Sequence, residues 1–331
     1  MTGRDEERAA RVWASPRPDG QLLSALERGA DVRTRAELLP DLLADPQVRV
    51  LDTAEGTVPV LLGEHAPTLA LRPPRPEGRW RDEPAKAAFL GRDDAGTAYL
   101  LARHRTAADA DRATGDPRAV WLDLRECGPW LGPIDLELAL TGVGLARWHA
   151  THTHCPQCGA PASPGQAGWV RVCGRDGSVH FPRTDPAVIM SVIGPDDRLL
   201  LARGPRFKAG RVSVLAGFVE PGERLEDAVA REVAEEVGLR VESAAYVGSQ
   251  PWPFPASLMI GYEARTHQAR LRVDASEIVE ARWWDRAELA TALAAGSVGI
   301  AGRLSIARRL IERWYGGRLD QVLEAGSVRR D

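Results

Sequence analysis

Seven residues in one stretch of the chain could do chemistry together: Gly217, Glu223, Arg231, Glu232, Glu235, Glu236 and Gly238, within GFVEPGERLEDAVAREVAEEVGL. An α-helix advances about 100° per residue, so Glu232, Glu235 and Glu236 fall on one face. Clustered carboxylates repel one another unless a cation sits among them, and hard oxygen ligands of this kind favour Mg²⁺ or Mn²⁺. Leu225, Val229 and Val233 form a neighbouring apolar stripe suited to packing under a sheet, which would fix the carboxylates on a rigid element. Gly217 and Gly222 let the preceding loop turn tightly with its backbone near a ligand, and the helix N-terminus beyond favours an anion such as phosphate.

Two further constellations stand out. Residues 249–257 read SQPWPFPAS, too rich in proline for an interior strand or helix. Pro251, Pro253 and Pro255 fix a stiff extended shape that holds Trp252 and Phe254 at low entropic cost, as the wall of a pocket for a flat ring requires; a rigid core-packing loop is the other reading. Upstream, Cys155, Cys158 and Cys173 cluster as a metal site, or its remnant, more than as a disulfide framework. Cys127 stands apart and reads as a small buried hydrophobe.

The elements that must position these residues follow from pattern. A chain of 331 residues exceeds one usual domain, which predicts two domains with a small insert. Residues 1–20 carry no periodicity and read as a loosely ordered tail. Residues 21–150 form an α+β domain with strand-like runs at 48–52, 58–62, 68–72, 98–104 and 119–124, a loop at 72–80, and a helical pattern at 135–150 weakened by Gly142 and Gly144. The cysteines occupy residues 151–185. Residues 186–318 give an α/β/α pattern: strands at 187–194 and 198–204 joined by a turn at Pro195, Asp196 and Asp197, then a strand running into the glycine loop at 212–223. A helix at 225–237, strands at 244–250, 257–264, 269–273 and 280–285, a helix at 300–314 and a tail at 319–331 complete it.

Net charge is −3, so no global field draws the chain to nucleic acid or anionic lipid, and an RNA-binding ribbon protein lacks its expected basic stripe. Only Lys86 and Lys208 are lysines, so the positive charge is almost all arginine. No apolar run approaches the roughly 20 residues needed to span a bilayer, and the charged N-terminus does not read as a secretion signal. The expected location is cytoplasmic.

The glutamate stretch matches the Nudix box, G-x5-E-x7-R-E-U-x-E-E-x-G-U with U apolar, at every specified position. That completeness favours a metal site over an exposed acidic helix face. With SQPWPFPxS downstream, residues 150 to 315 resemble the bacterial NADH pyrophosphatases, which hydrolyse NAD(H) to AMP and nicotinamide mononucleotide and can remove NAD caps from RNA. The resemblance implies an α/β/α Nudix sandwich with a mixed β-sheet, preceded by a zinc-ribbon-like insert and an α+β N-terminal domain, assembled as a homodimer. Carried over by position, the backbone carbonyl of Ala216 with Glu232, Glu236 and Glu277 would hold the catalytic metals. Gln250, Pro251, Trp252, Pro253, Phe254, Pro255, Ala256 and Ser257 would line the substrate site, together with Glu277 and Ala307. Phe181 and Phe218 match positions whose rings flank the nicotinamide, and Arg231 would brace the loop by pairing with Glu223. Glu235 could be a ligand or a base.

The family's ribbon reads C-x2-C-x14-C-x2-C, whereas this chain carries Asp176 in the fourth place after Cys155, Cys158 and Cys173. Two outcomes stay open: zinc completed by Asp176, His180 or His154, or a metal-free remnant held by Trp169 and its neighbours. The expected chemistry is metal-assisted hydrolysis of NADH or NAD, with NAD-capped RNA a further substrate. The alternatives are a Nudix hydrolase for ADP-ribose or another nucleoside diphosphate derivative, and a non-catalytic NAD(H) sensor.

Overall fold

The computed structural model describes residues 26–63, 66–74, 86–106, 108–109, 115–320 and 322. The expected tail at 1–20, the loop from 75 to 80 and the chain end from 323 lie outside the described residues. The chain divides into two compact units: residues 1–184 with 253–256, and residues 185–252 with 257–331.

In the first unit, helix α1 (Leu38–Ala44) precedes strands β1 (Arg49–Ala54), β2 (Thr57–Leu61), β3 (Thr68–Leu69), β4 (Ala87–Arg92), β5 (Ala98–His104) and β6 (Ala119–Asp123). They form one sheet in the order β3-β2-β1-β5-β4, with β6 also paired to β2. β1 and β5 run parallel and are buried on both faces, which a parallel pair requires. One face takes Leu38 and Leu42 of α1 against Val50, Phe89 and Leu100. After the short helix α2 (Leu124–Cys127), the helix α3 (Pro133–Thr151) covers the other. Gly142 is a packing requirement: a Cβ there would meet Leu51 at 3.1 Å and Leu101 at 3.3 Å. Cys127 is buried and its thiol is pushed up to about 11 by burial, so it behaves as a hydrophobe. The ribbon adds a three-stranded sheet of β7 (Ala162–Gly165), β8 (Val170–Cys173) and β9 (Val179–His180).

The second unit holds β10 (Asp185–Ile193), β11 (Leu199–Arg203), β12 (Leu215–Phe218), helix α4 (Leu225–Val237), β13 (Ser243–Trp252), β14 (Ser257–Arg265), β15 (Glu280–Trp284), and helices α5 (Arg286–Ala294) and α6 (Ile306–Tyr315). The sheet order is β13-β14-β10-β11-β15, and β12 pairs with β10. It is mixed: β10 is parallel to β14 but antiparallel to β11 and β12. Side chains alternate across the sheet, as strand geometry dictates. Val188, Met190 and Val192 of β10 join Val229, Val233 and Val237 of α4 on one face. Ile189 and Ile193 join Leu289 and Leu293 of α5 and Leu310, Ile311 and Trp314 of α6 on the other. This is an α/β/α sandwich, preceded by the ribbon and an α+β region.

Two expectations need correction. Residues 269–273 are not a strand, because their backbone closes the end of α4 instead of a ladder: Arg272 N–H donates to Val237 O at 2.9 Å and Asp274 N–H to Glu236 O at 3.0 Å. The last helix starts at Ile306, not 300, where the Ser305 hydroxyl accepts from the Ala307 N–H. Sequence pattern also passes over α1, α5 and β4; α5 opens on a capping box of Asp285 and Glu288. Among the described residues no helix is long and apolar enough to cross a membrane.

Candidate active site

The site is built on α4 and the loop before it. Glu232 and Glu236, one turn apart, are both buried at 8% exposure, while Glu235 is exposed. Glu232 lies flat against the backbone of β12: a Cβ at Gly217 would stand 1.8 Å from the Glu232 carboxyl carbon, so only glycine fits. Ala216, the proposed carbonyl ligand, is the preceding residue and pairs with Ile189 of β10. At the other end of the helix Gly238 takes the left-handed conformation (φ 68°), where a Cβ would also crowd Arg272 at 2.9 Å.

Arg231 ties loop and helix together. Its Nε donates to Glu223 Oε1 at 2.7 Å and its Nη2 to Glu223 Oε2 at 2.9 Å and to the Phe218 carbonyl at 2.9 Å. Its Nη1 donates to Glu232 Oε1 at 2.8 Å and Glu235 Oε2 at 3.0 Å. Glu223 in turn accepts the Glu220 N–H, and its acidity is strengthened first by the Arg231 hydrogen bonds. Glu277 comes from a distant segment but is held by the same helix. The Asp274 N–H is bonded to the Glu236 carbonyl, Asp274 Oδ1 accepts from the N–H and hydroxyl of Ser276, and the Glu277 N–H closes the turn on the Asp274 carbonyl.

Arg231 thus serves three carboxylates, Glu223, Glu232 and Glu235, and leaves Glu236 out. Glu236 bears the consequence: burial, then the charges of Glu232, Glu277 and Glu235, push its pKa up to about 8. Its Oε2 is buried with no hydrogen-bond partner. A buried, unpartnered carboxylate oxygen among like charges fits a divalent cation, and the all-oxygen donor set suits Mg²⁺ or Mn²⁺.

The proline segment divides. Gln250 is 1% exposed; its Nε2 donates to the Leu304 carbonyl and its Oε1 accepts the Ile306 N–H at 2.6 Å. Its side chain holds the start of α6 instead of facing an open surface, and Ala307 beside it is buried in the core. Pro251 and Trp252 end the edge strand β13, a position proline tolerates, and Ser257 begins β14. The connection Pro253–Ala256 groups with the first unit. There Pro253 packs 3.6 Å from the Cβ position of Gly144, and the guanidinium groups of Arg125 and Arg147 lie 4.8 and 5.0 Å from the centre of the Phe254 ring. That ring already has cationic partners, which sequence alone does not flag because arginines are scattered throughout. Phe218 in the second unit and Phe181 in the first are 59% and 69% exposed.

In the ribbon, ligand atoms of Cys155, Cys158, Cys173 and Asp176 all lie within 4.8 Å of one another. The Cys158 and Cys173 sulfurs are 3.4 Å apart and Cys155 Sγ is 3.9 Å from Asp176 Oδ2. Tetrahedral zinc with ligands at about 2.0–2.3 Å separates them by about 3.3–3.8 Å, close to these two separations, so a small contraction of the set would fit the ion. Asp176 is held in the orientation a ligand needs. Its Oδ1 accepts the N–H of Ser178 at 2.9 Å and its hydroxyl at 2.6 Å, which lowers its pKa and leaves Oδ2 toward the sulfurs. Neither histidine joins the set; His180 Nε2 meets Ser178 Oγ instead. Trp169 does not support the cysteines either. Its Nε1 donates to the Phe89 carbonyl at 2.6 Å under the Arg33 guanidinium, fastening the ribbon to β4.

A strand, a glycine loop and a glutamate helix in this arrangement are the mark of a Nudix hydrolase, and residues 183–301 match the NUDIX domain family. Residues 150–181 match the NADH pyrophosphatase zinc ribbon domain. The NAD-capped RNA hydrolase NudC of Mycobacterium tuberculosis (strain ATCC 25618 / H37Rv) is 41% identical over 240 residues, covering 70% of this chain and 76% of that protein. Its counterpart in Mycobacterium bovis (strain ATCC BAA-935 / AF2122/97) matches over the same extent at the same identity. The human NAD-capped RNA hydrolase NUDT12 is 42% identical over 182 residues, 51% of this chain and 39% of that protein. The chain belongs to the NADH pyrophosphatase family of Nudix hydrolases.

Proposed function

We propose that this enzyme hydrolyses the pyrophosphate of NADH or NAD to nicotinamide mononucleotide and AMP, and that NAD-capped RNA is also a substrate. The observation that carries the reading is the carboxylate cluster on α4, where Glu236 is buried and unpartnered beside Glu232 and within the field of Glu277. Glu232, Glu236, Glu277 and the Ala216 carbonyl would hold Mg²⁺ or Mn²⁺, which neutralises pyrophosphate charge and acidifies water.

The chain's own residues do the rest. Gly217 lets Glu232 lie against the strand, and Arg231 holds Glu232 and Glu223 in fixed directions. The glycine loop presents a close backbone to the phosphates. Phe218, exposed at the end of β12, offers a flat surface to a base or nicotinamide ring, and Trp252 a second. Glu235, exposed and hydrogen-bonded to Arg231, can serve as the base. A non-catalytic sensor would not need this uncompensated charge.

The free thiols of Cys155, Cys158 and Cys173 suit a reducing, cytoplasmic location, and a homodimer is the assembly the family resemblance supports. Chromatography of products from NADH, NAD, NAD-capped RNA and ADP-ribose with Mg²⁺ or Mn²⁺ tests the activity. Nicotinamide mononucleotide and AMP should form fastest. Faster turnover of ADP-ribose, or binding of NADH without hydrolysis, would overturn the assignment; light scattering reads the dimer.

A further inference from the structure

The chain-wide charge of −3 hides a local concentration of the opposite sign. Between β11 and Val212 the sequence reads Arg203-Gly-Pro-Arg206-Phe207-Lys208-Ala-Gly210-Arg211, with four cations, no acid and one of the chain's two lysines. Arg203 has Glu280 at 3.7 Å. Arg206, Lys208 and Arg211 make no side-chain hydrogen bond or ion pair among the described residues, and every residue from 205 to 211 is exposed. Phe207, set among them, is 41% exposed. Solvated arginines are common, but an exposed aromatic ring between unpaired cations is the combination that a single strand of nucleic acid uses, phosphates on the cations and a base on the ring.

The loop is anchored at both ends. At its start, the Cβ position of Gly204 is 3.6 Å from the backbone carbonyl oxygen of Glu277, so the loop leaves the sheet beside the segment that carries Glu277. At its end Gly210, with φ of 79° and its Cβ position 3.0 Å from the Ser297 carbonyl, accepts from the Gly299 N–H at 2.8 Å. The Val212 N–H then donates to the Gly299 carbonyl at 2.9 Å. Lys208 is four steps along the chain from Gly204, a reach of at most roughly 14 Å even if extended. The backbone of Arg206 and Lys208 therefore stays within that reach of the segment carrying Glu277, on a course that a polymer attached to the substrate could follow.

We infer that the 203–211 loop binds the RNA strand that continues from an NAD cap, Arg206, Lys208 and Arg211 meeting its phosphates and Phe207 stacking a base. This rests on the capped-RNA reading above and names the part of the chain that recognises the RNA. Free NADH, which has no strand, does not use the loop.

The test compares kcat/KM for an NAD-capped oligonucleotide and for NADH, using the full chain with Mg²⁺. Three phosphate contacts to a single strand give a log–log salt slope of about −2 for the RNA over that for NADH, a loss of about 20-fold between 50 and 200 mM salt. The triple variant Arg206→Gln, Lys208→Gln, Arg211→Gln should remove this excess slope and lower capped-RNA activity about tenfold or more at low salt, with NADH activity kept within twofold. Phe207→Ala should lower capped-RNA activity alone. The salt comparison needs only the wild-type protein, so a misfolded variant does not blunt the test. Equal salt slopes for the two substrates, or variants that change both activities alike, would overturn the loop's role while leaving capped RNA as a substrate. A wild-type protein that cleaves NADH but leaves capped RNA intact would overturn the capped-RNA reading itself, and the loop's role with it.

Discussion

His149, near the end of α3, should make stability fall with acid in a way one substitution abolishes. Its Nε2 meets the Gly168 carbonyl at 2.8 Å, so Nε2 carries the proton. Its Nδ1 meets Arg171 Nη1 at 3.0 Å, and a guanidinium can only donate, so Nδ1 must stay bare. Arg171 is committed as well, its Nη2 donating to the Ala162 carbonyl of β7. Burial first, then the charge of Arg103 and that of Arg171, lowers the His149 pKa to about 3. The unfolded value is about 6.5, so between these limits the unfolded chain binds the extra proton and stability rises with pH. From pH 8 to pH 5 the difference amounts to about 2 kcal/mol, or about 4–8 °C in melting temperature for a unit of this size. His149→Gln keeps a donor and an acceptor but cannot titrate. Denaturation followed at pH 8 and pH 5 for both proteins isolates the histidine, since carboxylates common to both cancel. The variant should lose some stability at pH 8 and about 2 kcal/mol less than wild type on acidification. An equal acid loss in both would show that His149 is protonated in the folded protein and that the Arg171 geometry is wrong.

Three other outcomes follow from the same structure. Glu236→Gln should cut turnover of NADH by at least about a hundredfold with an unchanged circular dichroism spectrum, because the carboxylate that most needs a cation has lost its charge; a folded, fully active variant would remove Glu236 from the site. Elemental analysis should find one zinc per chain, and Asp176→Ala should release it to a chelator at least about tenfold faster while hydrolysis with Mg²⁺ restored is little changed; a metal-free wild-type ribbon would refute the fit. Trp252→Ala should lower kcat/KM for NADH by about one to two powers of ten but that for ADP-ribose far less. Phe254→Ala, whose ring is engaged by Arg125 and Arg147, should affect both substrates together; a ring-selective loss there would show that Phe254 faces the substrate.

The central strands of the sandwich were legible as apolar runs bounded by turn residues, and α4 because its valines recur at helical spacing beside a run of charge. What escaped was set by contacts distant in sequence. ARLRV has the composition of a strand, yet its Arg272 N–H, and that of Asp274 just after it, go to the carbonyls of Val237 and Glu236 at the end of α4. β4 shows no alternation because nearly all of it is buried, and so resembles neither a surface strand nor a helix. Gly142 weakened the case for α3 on propensity alone, although its missing Cβ is what lets the helix approach Leu51 and Leu101.

The same division runs through the site. Residues that act within one helix and its loop could be placed from spacing, and Arg231 does reach Glu223 across eight positions. The proline segment could not be resolved in that way, since stiffness says that rings are held but not what they face. Gln250 and Phe254 stand four residues apart, yet one caps the start of α6 from the core and the other lies beneath two arginines of the first unit. Phe218 and Trp252 belong to the same unit as the carboxylates, one exposed at the end of β12 and the other half-buried at the end of β13. If a dinucleotide is preferred, as proposed, these two rings are the flat apolar surfaces of that unit that could select it, because carboxylates holding a cation offer nothing for a ring to stack on.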